Sequence, residues 1–184
     1  MSKRALIVID LQNDYFPGGK WTLDRIETAA DNAARVIAAA RDRGELVVHV
    51  RHEFPDAAAP FFAAGSAGAE IHPKLQPAAG EPVVVKQDIN AFRNTGLKAL
   101  LDREGTEEVV VVGAMSHMCI DAGARAAKDF GYAVTVVHDA CATRDLEFQG
   151  QVVPAAQTHA AYMSALDFAY ATTLSTEQFL AAGR

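Results

Sequence analysis

The stretch Val109 to Gly131, VVVVGAMSHMCIDAGARAAKDFG, decides the fold. Its four valines followed by Gly113 predict a strand covered on both faces, and the alanine-rich run after Cys119 predicts a helix that stops at Gly131. The turn between them carries a thiol near a helix start. Unpaired backbone N–H groups and the positive end of the helix dipole favour a thiolate there, which makes Cys119 a candidate nucleophile. The plainer alternative is a small apolar core residue.

Moving outward, the same strand-then-helix rhythm recurs. Ala5 to Asp10 is a short apolar run that ends on a carboxylate. Ile26, Ala30, Ala33, Ile37 and Ala40 have helical spacing, with Asp24 and Glu27 as the expected cap and Gly44 as the stop. Leu46 to Val50 is the next strand. Periodicity then fails from Glu53 to Gly80, a segment punctuated by prolines and glycines, and a loop that long in a compact domain is usually functional. Val83 to Val85 is a strand ending on Lys86, and Thr95 caps a helix from Gly96 to Arg103. After the helix that follows Cys119 come a strand at Ala133 to Val137, a loop, a helix from Pro154 to about Tyr170, a short strand at Thr172 to Leu174 and a last helix. Strands that alternate with helices in this way are mostly parallel and right-handed in their crossovers. The expected fold is therefore an α/β three-layer sandwich with an open, mostly parallel sheet, in one domain over residues 1–184.

Composition narrows the class. Of the 184 residues, 50% are hydrophobic and 22% charged, as in an ordinary globular protein. A net charge of −6 with no basic cluster longer than Lys3-Arg4 argues against nucleic-acid binding. No apolar run approaches a membrane span, and Ala5 to Ile9 is too short for a secretory signal core, so a cytoplasmic protein is expected. Cys119 and Cys141 show no metal-type pairing, and a reducing compartment keeps both as thiols.

In an open parallel sheet, ligands bind at the carboxyl ends of the strands. Asp10, Lys86 and Cys119 all fall there. Singly, each has a plain alternative: a turn residue, a snorkelling lysine, a packed thiol. Together they supply a base, a cation and a nucleophile, with the carboxylate also expected as the lysine's partner from the next strand end.

On these residues the sequence resembles the isochorismatase-like cysteine hydrolases. The matching segments are ALIVIDLQNDY (Ala5 to Tyr15), GAEIHP (Gly68 to Pro73), VVVKQDINAF (Val83 to Phe92), the stretch from Val109, and VTVVHDACAT (Val134 to Thr143), with a weaker match from His159 to Leu180. The resemblance implies a six-stranded parallel sheet, a catalytic triad of Asp10, Lys86 and Cys119, and a cis peptide between Ala114 and Met115. It further implies an oxyanion hole from the N–H groups of Met115 and Cys119, and a homo-oligomer. Nicotinamidases of that family bind a metal through an Asp-x-His pair, which is absent here. His49 and His52 are three apart on a strand and point to opposite faces, so they are expected to be structural or pocket-edge residues rather than ligands. No metal and no cofactor enter the expectation.

Trp21, Phe54, Phe61, Phe62 and Phe92 are the candidate apolar wall of a substrate pocket, and Gln12 a candidate for orienting a substrate amide. Ser116 and His117 occupy the middle of the nucleophile turn and are expected to shape specificity. Siderophore-type isochorismatases are similar at Ser116-His117 yet lack the cysteine. A thiol is superfluous for vinyl-ether hydrolysis, so Cys119 favours attack on an amide, lactam or carbamoyl carbon of a small molecule, with water as the second reactant. Two rivals stay open: vinyl-ether hydrolysis, and a non-enzymatic ligand-binding or thiol-sensing protein on the same fold.

Overall fold

A computed structural model describes residues 3–182. Six parallel strands form one sheet: β1 (Arg4–Ile9), β2 (Leu46–His52), β3 (Val83–Lys86), β4 (Glu108–Ala114), β5 (Ala133–Ala142) and, from the C-terminal region, Thr172–Leu174. A small antiparallel hairpin, β6 (Leu146–Phe148) and β7 (Gln151–Val153), precedes that last strand, which is therefore β8. The sheet order is β3-β2-β1-β4-β5-β8. The helices are α1 (Ile26–Asp42), α2 (Leu97–Arg103), α3 (Asp121–Asp129), α4 (Ala155–Ala169) and α5 (Thr176–Ala182).

Alternation along each strand divides the core into two layers. Leu6, Val8, Val47, Val110 and Val112 pack under α1 and α5 with Ile26, Ala33, Ile37 and Phe179. Ala5, Ile7, Ile9, Val48, Val109 and Val111 face the opposite way, against Leu97 and Leu101 of α2, Ala124 and Ala127 of α3, and Met163 and Leu166 of α4. Because both faces are covered, the central strands read as unbroken apolar runs. The sandwich expected from the element order is the one observed.

Several local expectations are corrected. Asp24 does not cap α1; its N–H bonds the Thr143 carbonyl, and the helix begins after Arg25, which sits in the left-handed region at φ 51°. β5 runs five residues past Val137, because extra residues between Val136 and Cys141 bulge out before pairing with β4 resumes at Gly113. The loop expected before α4 contains the β6–β7 hairpin. β3 is an edge strand whose Val83 and Val85 are exposed, while Lys86 at its end is buried.

The sheet reverses direction of winding between β1 and β4, so the crevice opens where those two strands end. The segment from Glu53 to Gly80 covers this end with only two short 3-10 turns, Ala67–Ala69 and Pro73–Leu75. Buried Asp14 ties it down: Oδ2 accepts from Phe62 N at 2.7 Å and Oδ1 from Lys20 N at 3.2 Å. Gly68 packs so close to that carboxylate that a Cβ there would lie 2.3 Å from it.

Candidate active site

Four neighbouring strand ends deliver four polar side chains to one place. Lys86 closes β3, His52 closes β2, Asp10 follows β1, and Cys119 lies one turn beyond β4. Asp10 turns out of the strand at φ 53°, with its N–H held by the Val50 carbonyl at 2.9 Å. The chain leaves β4 through a cis peptide between Ala114 and Met115, then makes a single π-helical turn, Ser116–Ile120, before α3. Such wide turns concentrate at functional sites, and this one carries Cys119.

Lys86 is the hub. Its Nζ lies 2.8 Å from Asp10 Oδ2, 3.3 Å from Cys119 Sγ and 2.9 Å from His52 Nδ1. An ammonium has three N–H groups and here finds three acceptors. The expectation that Asp10 is offered by the next strand end is corrected, since β2 lies between β3 and β1 and the lysine reaches across His52. Asp10 Oδ2 is engaged in the buried ion pair with Lys86, and Oδ1 has no hydrogen-bond partner among the described residues.

Burial governs the protonation states. Asp10, Lys86 and Cys119 are 0%, 1% and 3% exposed, so the trio is sealed beneath the surface. Desolvation lowers the Lys86 pKa, but Asp10 and Cys119 outweigh it and hold the ammonium above its usual range. Desolvation and the neighbouring Asp10 carboxylate push the Cys119 pKa up, more than Lys86 pulls it down. The resting sulfur is a thiol, which corrects the thiolate expected from its place near a helix start: charge burial outweighs the dipole. His52 is driven down to about 4 by burial and by the lysine, so it is neutral. Tyr15 is raised by burial, then by the charges of Asp10 and Cys119, so its phenol stays un-ionised.

The expected substrate contacts divide. Phe54, Phe61 and Trp21 are half-buried and contiguous: Trp21 stacks on Phe61 at 4.8 Å, and Phe54 meets Phe61 edge-on at 5.4 Å. They form the layer outside Tyr15 and His52. The Arg144 guanidinium lies over the Trp21 ring at 4.4 Å, beside an open cleft of about 510 Å³. His117 is half-buried, with Nδ1 2.6 Å from Thr143 Oγ1.

Gln12, Phe62, Phe92 and Ser116 are corrected as substrate contacts. Gln12 is fully buried and saturated: Nε2 donates to the His52 and Ala69 carbonyls at 2.8 and 2.7 Å, and Oε1 accepts from His52 N at 2.7 Å. Phe62 is wholly interior beneath Tyr15, and Phe92 packs against Phe130 and Tyr132, away from the other aromatics. Ser116 is buried with Oγ 2.8 Å from His159 Nδ1 and 3.3 Å from the Ala142 carbonyl. As alternation requires, His49 and His52 face opposite ways; His49 Nε2 meets Glu81 at 3.1 Å. Among the described residues, no three His, Cys, Asp or Glu side chains are grouped so as to share a metal ion. A second cavity, about 330 Å³ between α1 and α4, is lined by His138, Cys141 and His159 and does not include the trio.

His52, expected as a structural or pocket-edge residue, and Tyr15, which the sequence pattern does not mark, thus lie at the cluster. For His52 the signal of a contact with Lys86 is faint: like Lys86 it ends a strand on a polar side chain, yet His49 and Arg51 interrupt the run before it.

Comparison with known proteins identifies relatives across nearly the whole chain. A model of the isochorismatase domain matches residues 4–177. YddQ of Bacillus subtilis, an uncharacterized isochorismatase family protein, is 48% identical over 176 residues, covering 96% of this chain and 98% of its own length. The maleamate amidohydrolase of Pseudomonas putida is 34% identical, over 77% of this chain and 73% of its own. The crystal structure of a provisionally assigned isochorismatase hydrolase from Oleispira antarctica superposes with a TM-score of 0.94 at 55% identity, covering 98% of this chain and 97% of that one. Fold and sequence together place the chain in the isochorismatase family of hydrolases.

Proposed function

We propose that this protein hydrolyses a C–N bond, in an amide, lactam or carbamoyl group, of a small molecule through a thioester on Cys119. The observation that carries this reading is the buried lysine lying 2.8 Å from Asp10 and 3.3 Å from Cys119 at the sheet's crevice. Similarity to a maleamate amidohydrolase, named for cleavage of an amide, supports the bond type.

The steps follow from the resting charges. Asp10 takes the thiol proton as Sγ attacks the carbonyl carbon, and the Lys86 ammonium offsets the negative charge that passes from carboxylate to sulfur. The N–H groups of Met115 and Cys119 hold the oxyanion. Collapse breaks the C–N bond, and Asp10 returns its proton to the departing nitrogen. Water then attacks the thioester with Asp10 again as base, releasing the acid and restoring the thiol. Since the trio is sealed, entry requires the half-buried layer of Trp21, Phe54 and Phe61 to part, with His117 at the rim.

The reading extends to one functional domain acting in the cytoplasm, where Cys119 and Cys141 remain the free thiols they are here. No described helix is long and apolar enough to cross a membrane. A homo-oligomer belongs to the same reading: Phe168, 92% exposed on the nearly uncharged outer face of α4, is the place we assign to the contact.

A panel of amides, ureides and lactams, assayed for ammonia or amine release with Cys119→Ala as control, tests the proposal. Mass-spectrometric capture of an acyl adduct on Cys119 is the expected result. Full turnover by the variant overturns it, and pyruvate release from isochorismate by that variant would put vinyl-ether hydrolysis in its place.

A further inference from the structure

We infer that His52 is a positioning residue: its Nδ1 takes one N–H of the Lys86 ammonium and so aims the other two at Asp10 and Cys119. The inference rests on the proposed role of Cys119 for its functional meaning, but its geometry is independent of that role.

Topology makes the contact obligatory. In the order β3-β2-β1-β4, a lysine at the end of β3 must pass over the end of β2 to reach Asp10, and His52 is its register partner there. A lysine stem is flexible, and a buried ammonium with a loose N–H would turn to the nearest free lone pair. Asp10 offers such lone pairs, so without a third acceptor the ammonium would tip toward the carboxylate and away from Sγ. His52 Nδ1, at 2.9 Å, supplies that acceptor.

The histidine is itself held from behind. Gln12 grips both backbone polar groups of His52, donating to its carbonyl at 2.8 Å and accepting from its N–H at 2.7 Å, and the ring packs on Phe54 at 4.2 Å. Gln12 is two residues from Asp10, so the base and the clamp leave β1 together. Packing alone does not account for a histidine here. Nε2 is buried with no partner among the described residues, a cost that a phenylalanine of similar shape would avoid. Among the described residues, the one polar contact the ring makes is to Lys86.

The geometry also dictates the tautomer, since Nδ1 must be bare to accept and Nε2 must carry the hydrogen. Burial and the adjacent cation keep the ring neutral down to about pH 4, so one tautomer serves throughout the neutral range.

Two measurements test this. In the first, the full chain carrying Cys141→Ser is alkylated with iodoacetamide at fixed neutral pH, and Cys119 modification is followed by mass spectrometry. His52→Phe, which preserves the ring and removes the acceptor, should slow the reaction about tenfold, as loss of a hydrogen bond to a charged group would. His52→Asn, which returns an acceptor near the Nδ1 position, should recover most of that loss. Equal rates for all three, or no rescue by asparagine, overturn the inference. The second uses the unaltered protein: nitrogen chemical shifts of labelled histidine should show His52 as the Nε2–H tautomer across neutral pH. The Nδ1–H tautomer would overturn the inference by itself, whether or not a variant folds. If these results hold while Cys119→Ala retains turnover, the clamp stands and the thioester reading falls; the reverse pattern removes the clamp alone.

Discussion

Cys119 and Cys141 are both buried free thiols near the carboxyl ends of adjacent strands, and burial raises the pKa of both. Neither is a resting thiolate. The hydrogen bond of Cys141 goes to backbone, its Sγ 3.4 Å from the Val137 carbonyl, whereas Cys119 has Lys86 at 3.3 Å and shares that lysine with Asp10. On the proposed mechanism, reactivity at this sheet is decided by what can receive the proton and hold the ensuing charge. Depth of burial and nominal acidity do not separate the two.

The sharpest way to break the comparison is turnover. Cys119→Ala should reduce hydrolysis by about 10³-fold or more, the scale on which nucleophiles are lost, while Cys141→Ala should change it by less than about threefold. Comparable losses from both would show that the partners are irrelevant. Next in size is the charge pair. Lys86→Met should destabilise the fold by about 3–5 kcal/mol in denaturant titrations, because Asp10 is left buried and unpaired. Adding Asp10→Asn should recover part of that loss, and a recovery of zero would mean the pair is not coupled. Smaller again is the support: Gln12→Ala strips the partners from the His52 N–H and the His52 and Ala69 carbonyls, and should cost about 1–3 kcal/mol by the same measurement.

The last test uses pH. Burial raises Cys141 from 9.0 to about 12, so the folded chain holds a proton that the unfolded chain releases. Its contribution to stability is complete below about pH 9 and is lost as the pH climbs toward 12. Cys141→Ala should flatten part of that alkaline decline in thermal melts; an unchanged slope would place the thiol in contact with water.

Much of this molecule is legible in the chain because burial on two faces writes itself as unbroken apolar runs, as in Val109 to Val112 and Ala5 to Ile9. Asp10 and Lys86 stand out as charges that close such runs. What escapes is information carried by neighbours in space. The order of strands is not encoded locally, so nothing in VVHVRHEF announces that Lys86 must cross His52. Phe61 and Phe62 are chemically identical neighbours, yet a left-handed backbone at Phe62, φ 53°, with its N–H fixed on Asp14, sends one ring inward and leaves the other half-buried. Gln12 reads as a ligand-facing amide because an amide able to reach a substrate and one that clamps a strand end have the same formula. The β6–β7 hairpin is short, and Phe148 and Val152 are exposed, so it leaves no burial pattern to find.

Gly113 pairs with Ile9 across the junction of β4 and β1, one rung from where Asp10 departs, at a φ of 127°. A Cβ there would sit 2.0 Å from the Ile9 carbonyl oxygen. Only hydrogen fits, and so the two strands approach as closely as backbone allows at the rung from which the segments carrying Asp10 and Cys119 diverge. Gly113 acts as the gauge block of the site: enlarging it by a single methyl would widen the gap between Asp10 and Cys119 while leaving the side chains of the proposed site unchanged, a lesion of distance rather than of chemistry.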